Sequence, residues 1–492
     1  MTTTDFAVIA VYFILTLGIG IWSTRRQTTA GDYFLGARNL PAWAVLFSIV
    51  ATETSALTVL SVPGIGARGD LRFLQIAFGY LLGRVIVAWW LLPGYFQGTQ
   101  DTAYARLEKR FGIATRRAMS VIFLITRFLG DGVRIFVGAI PLALLTGWSI
   151  PLSILVMGIV TLVYTWAGGL KAVVWTDVIQ LAVYVSGGIV ALFVAWNLAG
   201  GPGASLMAAA DAGKLQVFDF AVNFTTTYTF LGGLVGGALL SAASHGTDHL
   251  IVQRLLATRS LGDARRALIG SGVAVILQFL LFLLVGVAIW SAGLAPDTMG
   301  SDEIFPRFII EQLPTGISGL LVAGILAAAM STVASSINAL ASSMTHDLYA
   351  GWTGEQDPVR LMRVGRAFSI VWGLSLIGAA LLFHVYASGT DTPVVVIALS
   401  IASVTYGALL GAYVLAGRWS RARGSHVIAA AAVTILVMLT VVFARPISAQ
   451  PGFGWLELAA RLAWPWYVPL GTLLCVLVGT LASQLSRSER TA

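Results

Sequence analysis

Charge is scarce in this sequence: Asp, Glu, Lys and Arg together make up 11% of 492 residues, while 57% are hydrophobic and the mean hydropathy is +0.86. Soluble domains carry about 25% charged residues, so this scarcity excludes a water-exposed globular surface and points to a membrane protein in a lipid bilayer. Cysteine is nearly absent. The single Cys475 excludes a disulfide framework and a thiolate metal cluster. Polar stretches long enough for a soluble domain are also missing. The zinc-type HExxH and nucleophile-elbow GxSxG patterns do not occur, and no enzyme activity and no organic cofactor is expected. The net charge of +8 fits basic loops flanking membrane spans better than a nucleic-acid partner.

What is abundant is apolar runs of about 20 residues, the length that crosses a hydrocarbon core. Thirteen spans are read at 4–24, 42–65, 72–97, 116–146, 150–168, 173–199, 225–245, 267–293, 314–345, 364–386, 391–416, 425–444 and 464–485. The first run is too long for a signal-peptide core, and Thr24-Arg25-Arg26 offers no cleavage site, so it is expected to be a retained helix. With the N-terminus outside, the inside connections gather Arg25, Arg26, Arg38, Arg106, Lys109, Arg110, Arg116, Arg117, Lys171, Arg254, Arg259, Arg265 and Arg266, and further arginines toward the C-terminus. This asymmetry predicts a multi-pass plasma (inner) membrane protein with a cytoplasmic C-terminus. Three arginines, Arg84, Arg127 and Arg134, fall within spans.

The second span, around Ala51-Thr52-Glu53-Thr54-Ser55-Ala56-Leu57-Thr58, holds hydroxyls and a carboxylate, with Pro63 and Gly64 marking an expected break. The ninth carries Ser331, Thr332, Ser335 and Ser336 on neighbouring helical faces. Both are read as interrupted helices. Hydroxyls and freed carbonyls supply the oxygen ligands a small hard cation needs; close helix packing is the competing use of the same residues. Glu53 at bilayer depth is expected to face a cavity or a cation. Asp177 opens a span as an ion ligand, a gate, or a first-turn acid favoured by the helix dipole. Asp131 shares a face with Arg127 and Arg134, which leaves at least one cation over for Glu53 or an anionic substrate. His245 and His249, with Asp248 between them, flank a loop at the end of the seventh span.

Four segments carry a resemblance: ATETSALTVLSVPG at 51–64, YTWAGGLKAVVWTDVIQ at 164–180, SHGTDHLIVQRLLA at 244–257 and AAAMSTVASSINAL at 327–340. In their order and spacing the chain resembles the sodium:solute symporter family. The resemblance implies an all-α polytopic fold, a leucine-transporter-like five-plus-five inverted repeat with one extra N-terminal and two extra C-terminal helices. Its parts would be 1–41, the repeats 42–200 and 201–416, and 417–492. It implies Na+ as the coupling ion, held by the backbone carbonyls of Ala51 and Thr54 at the break in the second span and, from the ninth span, by the Ala328 carbonyl and the hydroxyls of Ser331 and Thr332. Asp177 and Ser335 resemble a second ion site, but Ala334 stands where two-sodium members carry a hydroxyl. For substrate it points to Glu53, Ser55, Thr58, Gln75, Phe78, Asp131, Arg134 and Tyr228. The implied activity is Na+-coupled symport of a small organic solute, of sugar, monocarboxylate or amino acid class, by alternating access. The rivals are proton coupling through Glu53 or Asp177 and, remotely, an intramembrane enzyme.

Overall fold

The computed structural model describes residues 2–23, 27–98, 100–387, 394–418, 421–450 and 452–491. Arg25 and Arg26, and the first residues of the expected span 391–416, lie outside them. Among the described residues the chain is helical throughout, with one isolated β-bridge between Leu40 and Thr258. Lipid offers no partners to backbone N–H and C=O groups, so spanning segments must satisfy them internally.

The spanning helices, in chain order, are α1 (Thr3–Ser23), α2 (Ala42–Glu53), α3 (Ala56–Arg68), α4 (Leu74–Ile86, continued by a π turn to Tyr95), α5 (Ile113–Thr146) and α6 (Ile150–Leu198). There follow α7 (Gly237–Gly246), α8 (His249–Leu256), α9 (Leu261–Ser291), α10 (Ile317–Ser343), α11 (Pro358–Ala387), α12 (Val394–Arg418), α13 (Gly424–Val442) and α14 (Tyr467–Thr491). Eight of the helices are long and apolar enough to cross a membrane. The bent pair α2–α3 makes a ninth. Helix α6 counts as two spans, because Gly169 turns the chain with φ +54° and ψ −154°. A side chain there would meet Tyr33 O at 2.4 Å, so only glycine fits both the dihedral and the space. Helices α5 and α12 and the turn-plus-α7 segment are further helical segments among the described residues, so the fold holds more than the nine that meet the length and apolarity of a span.

Three boundaries differ from the sequence reading. The expected break at Pro63 and Gly64 falls at Thr54–Ser55 instead, and Pro63 lies inside α3. Close packing explains the Pro-Gly pair: a Cβ at Gly286 of α9 would stand 1.8 Å from Pro63 O, so the two helices touch backbone to backbone. The ninth span is unbroken through every hydroxyl, because Thr332 and Ser335 back-bond to the carbonyls of Ala328 and Ser331 within the helix. The seventh span begins near Phe230, not at 225, and it is this span that is interrupted, at Thr247–Asp248 between α7 and α8.

Helix α10 is the axis of the bundle, buried from Leu321 to Ser343 and packed against α6, α5, α1 and α11. Its N-terminus is capped from α1: Asp5 Oδ1 accepts from Gly316 N (2.8 Å), Gly319 N (3.0 Å) and Ser318 Oγ (2.8 Å). At the end carrying Arg38 and Arg116, Gln100 and the stretch Thr102–Tyr104 are buried beneath the helices, while Asp101 between them stays exposed and meets Arg38. Ala103 N donates to His249 Nδ1 (3.3 Å), Tyr413 donates to Ala103 O (2.7 Å), and Thr102 donates to Asp347. Arg116 binds that same Asp347 at 2.6 Å and closes this end of the bundle.

Candidate ion and substrate site

The break between α2 and α3 bends the chain by 67°. Thr54 and Ser55 take extended dihedrals there, and among the described residues the carbonyls of Ala51 and Thr54 accept no backbone hydrogen bond. Freed carbonyls are what a dehydrated cation can use. Helix α10 presses its hydroxyl face on this turn, with Thr332 Oγ1 lying 3.3 Å from both Thr52 O and Ala328 O. Ser331 gives its proton to Asp177 Oδ1 at 2.6 Å, so its lone pairs remain to accept or ligate. Ala51, Thr54, Ala328, Ser331 and Thr332 are all buried. Carbonyls and hydroxyls without a formal charge suit Na+, a small hard cation, and the residues fit it.

Asp177 is not a first-turn acid. It lies well past Gly169 in the interior of α6, fully buried, and Ser48 (2.5 Å), Ser331 and Arg254 (3.2 Å) all donate to it. Arg254 corrects the sequence reading, which placed it in an inside connection: it is 0% exposed. Its Nε donates to Ser48 Oγ (2.8 Å), its NH1 to Leu250 O (2.8 Å), and its NH2 also reaches Ser335. The guanidinium thus takes up Asp177 and Ser335, the pair singled out for a second ion. The signal was present in the sequence: Arg254 sits inside the apolar run LIVQRLLA, an expensive place for a charge.

The expectation of a leftover cation also fails. Arg127 pairs with Asp248 at 2.6 Å, with Tyr406 donating to the same oxygen at 2.9 Å. Asp131 receives Arg134 at 3.1 Å, stands 3.6 Å from Arg127, and accepts from Ser336 at 2.5 Å. Arg84 of α4, 0% exposed, pairs with Glu53 and donates to Ser271 at 2.7 Å. Glu53, Asp131, Asp177 and Asp248 therefore match Arg84, Arg134, Arg254 and Arg127 one for one. Burying charges in pairs is the least costly way to carry them through a membrane protein.

The substrate candidates divide. Arg134 remains 28% exposed and uses only NH1 on Asp131, so its other donors stay open. Ser55, at the N-cap of α3, makes no capping hydrogen bond with its side chain, and Thr58 follows on the first turn. Gln75 is fully engaged: its amide donates to Arg72 O and Tyr228 O and accepts from Asp219 N, which makes it a strap for the 212–230 connection. Phe78 stacks on Phe218 of that connection, and Tyr228 meets Phe73 edge-on. Those two line its outer cover. His245, missed as a site residue, faces Glu53 across the two helix breaks at 3.6 Å. His249 is a packing residue between Ala103 and Ser342.

A broken helix crossed by an unbroken hydroxyl helix, with paired charges on the facing helices, defines a secondary transporter of the inverted-repeat class. The sodium:solute symporter family matches residues 33–434, and the chain belongs to it. The human sodium/iodide cotransporter is 32% identical over 84% of this chain, which spans 65% of that protein's length. The sodium/sialic acid symporter NanT of Aliivibrio fischeri is 25% identical over 99% of this chain and 94% of its own. Human sodium-coupled monocarboxylate transporter 1 is 29% identical over 84% of this chain and 68% of its own. A solved Na+-coupled sialic acid symporter in its substrate-bound outward-open state superposes with a TM-score of 0.85 at 25% identity, covering 98% of both chains. The protein is thus a sodium-coupled solute symporter with the leucine-transporter-like fold.

Proposed function

We propose that the protein carries a small organic anion into the cell with Na+ by alternating access. The observation that carries this reading is Thr332 of α10 set against the Thr52 carbonyl at the α2–α3 break, amid carbonyls that no backbone N–H satisfies. In this reading Ala51, Thr54, Ala328, Ser331 and Thr332 replace the water around Na+, and the ion ties the break to α10. The tied break presents Ser55 and Thr58 beside Arg134, whose open donors take the anionic group. Three of the relatives carry iodide, sialic acid or monocarboxylates in their names, and each of these is an anion. That agreement supports the charge of the substrate.

Each ligand then raises the other's affinity, as linkage requires. Release proceeds when the segment 100–104 leaves its place and Na+ escapes to the low-sodium side. An inside-negative potential adds about 2.3 kcal/mol per net positive charge at 100 mV. Glu53 and Asp177 each hold an arginine, and a neighbouring cation favours the charged carboxylate over the protonated one, which weighs against the rival coupling scheme. The test is uptake of labelled carboxylates, sialic acid and iodide into proteoliposomes. A sodium gradient should drive it and a choline gradient should not. Uptake driven by acid outside in sodium-free buffer would replace Na+ by H+.

A further inference from the structure

Glu53, Arg84, His245 and Ser241 cluster between the two helix breaks, and several of their polar atoms lack partners among the described residues. Arg84 Nε, His245 Nε2 and the Ser241 hydroxyl are buried and without a hydrogen-bond partner. Their residues are exposed by 0%, 2% and 1%. Glu53 directs Oε2 to Arg84 and His245; its other oxygen accepts no hydrogen bond, and the side chain keeps 20% of its surface open. Unpaired buried polar atoms cost about 1–3 kcal/mol each; Arg84 Nε and the Ser241 hydroxyl, with His245 Nε2 held only by its 3.6 Å contact to Glu53, leave room for a polar ligand's hydrogen bonds. Packing does not account for them. Gly83 brings α4 and α7 into contact at Ala238 O, and beside that contact Arg84 Nε and the Ser241 hydroxyl have no hydrogen-bond partner among the described residues, although the other Arg84 nitrogens hold Glu53 and Ser271.

We propose that this cluster is the hydrogen-bonding half of the substrate site, and that the substrate is a small acid bearing a hydroxyl or amino group as well as its acidic group. The proposal rests on the anion reading above and narrows it. Arg134 takes the acidic group. The free Glu53 oxygen takes an O–H or N–H, with His245 Nε2 and the Ser241 hydroxyl completing the contacts. A halide or an unsubstituted monocarboxylate supplies no such donor and leaves the cluster unpaired. A site built around a substrate donor rejects analogues lacking it far more strongly than an apolar pocket rejects a missing methylene.

The experiment is a binding comparison on the purified full chain in NaCl, by thermal shift and calorimetry, using propionate against lactate, butyrate against 3-hydroxybutyrate and serine, and iodide alone. The donor-bearing member should bind at least about 100-fold more tightly than its partner. Glu53→Gln and His245→Leu should each reduce that ratio to within about tenfold while Na+ still stabilises the protein. Should one variant fail to fold, the other carries the comparison. Equal binding of propionate and lactate, or iodide binding with comparable affinity, overturns the proposal. Binding of glycerol or glucose alone, lost in Glu53→Gln, keeps the donor half and removes the anion reading. A panel in which no donor-bearing solute binds overturns both.

Discussion

Arg254 and Asp177 form an ion pair of two fully buried side chains, 3.2 Å apart, that joins α8 to α6 beside the proposed sodium ligands. The pair also holds Ser48 and Ser331, so it fixes the geometry from which α2 and α10 would approach the ion. Replacing Arg254 by Met leaves a buried carboxylate alone and should cost about 3–5 kcal/mol, whereas R254M with D177N should recover part of that loss. Unfolding of the single and double variants in detergent measures the difference.

Asp5 caps the helix that carries the hydroxyls. Asp5→Ala removes three donors' acceptor at the α10 N-terminus and should cost about 1–2 kcal/mol. The melting temperature of the variant, with and without NaCl, checks this, and the NaCl increment should survive because the ion site lies deeper in α10.

The contact between α3 and α9 leaves no room for a side chain. Gly286→Ala would drive a methyl onto Pro63 O and should destabilise the chain by about 2–3 kcal/mol or more. Gly130→Ala, inside α5 where nothing stands within 4 Å, should instead stabilise the chain by about 0.4–1 kcal/mol.

At the basic end, Arg116 holds Asp347 and the buried stretch Thr102–Tyr104 closes the bundle. In a Cys475→Ala background, Ala103→Cys should resist a membrane-impermeant maleimide. Adding Arg116→Gln removes charge-assisted bonds worth about 1.5–3 kcal/mol, so labelling should speed up about ten- to a hundredfold. An unchanged rate would mean that this latch does not hold the end shut.

The sequence made some of this legible and hid the rest for physical reasons. The apolar spans and the hydroxyl face of α10 were readable because lipid imposes long apolar runs and makes each hydroxyl conspicuous. The residue pattern misplaced the break at Pro63, whose missing N–H α3 tolerates while Gly286 packs beside it; the break at Thr54–Ser55 has no proline or glycine to announce it, and only the family resemblance, which set the break at Ala51 and Thr54, pointed there. The charge count failed because it looked along one helix. Arg127 finds Asp248 across the bundle, and Arg254 folds back from the end of α8 to reach α6. Gln75 stood among the substrate candidates through the resemblance alone, yet its partners are main-chain groups of Arg72, Asp219 and Tyr228, the last two in the connection far along the sequence.

The central claim is a sodium ion held between the α2–α3 break and α10, and sodium titration of thermal stability tests it most directly. The measurement compares wild type, Ser331→Ala and Thr332→Ala in NaCl against choline chloride at constant ionic strength. The account predicts a saturable rise in melting temperature with Na+ alone, shifted to at least about tenfold higher concentration in both variants, the loss of about 1.4 kcal/mol of ion binding. A melting temperature indifferent to Na+, or a Na+ response unchanged in both variants, would contradict it.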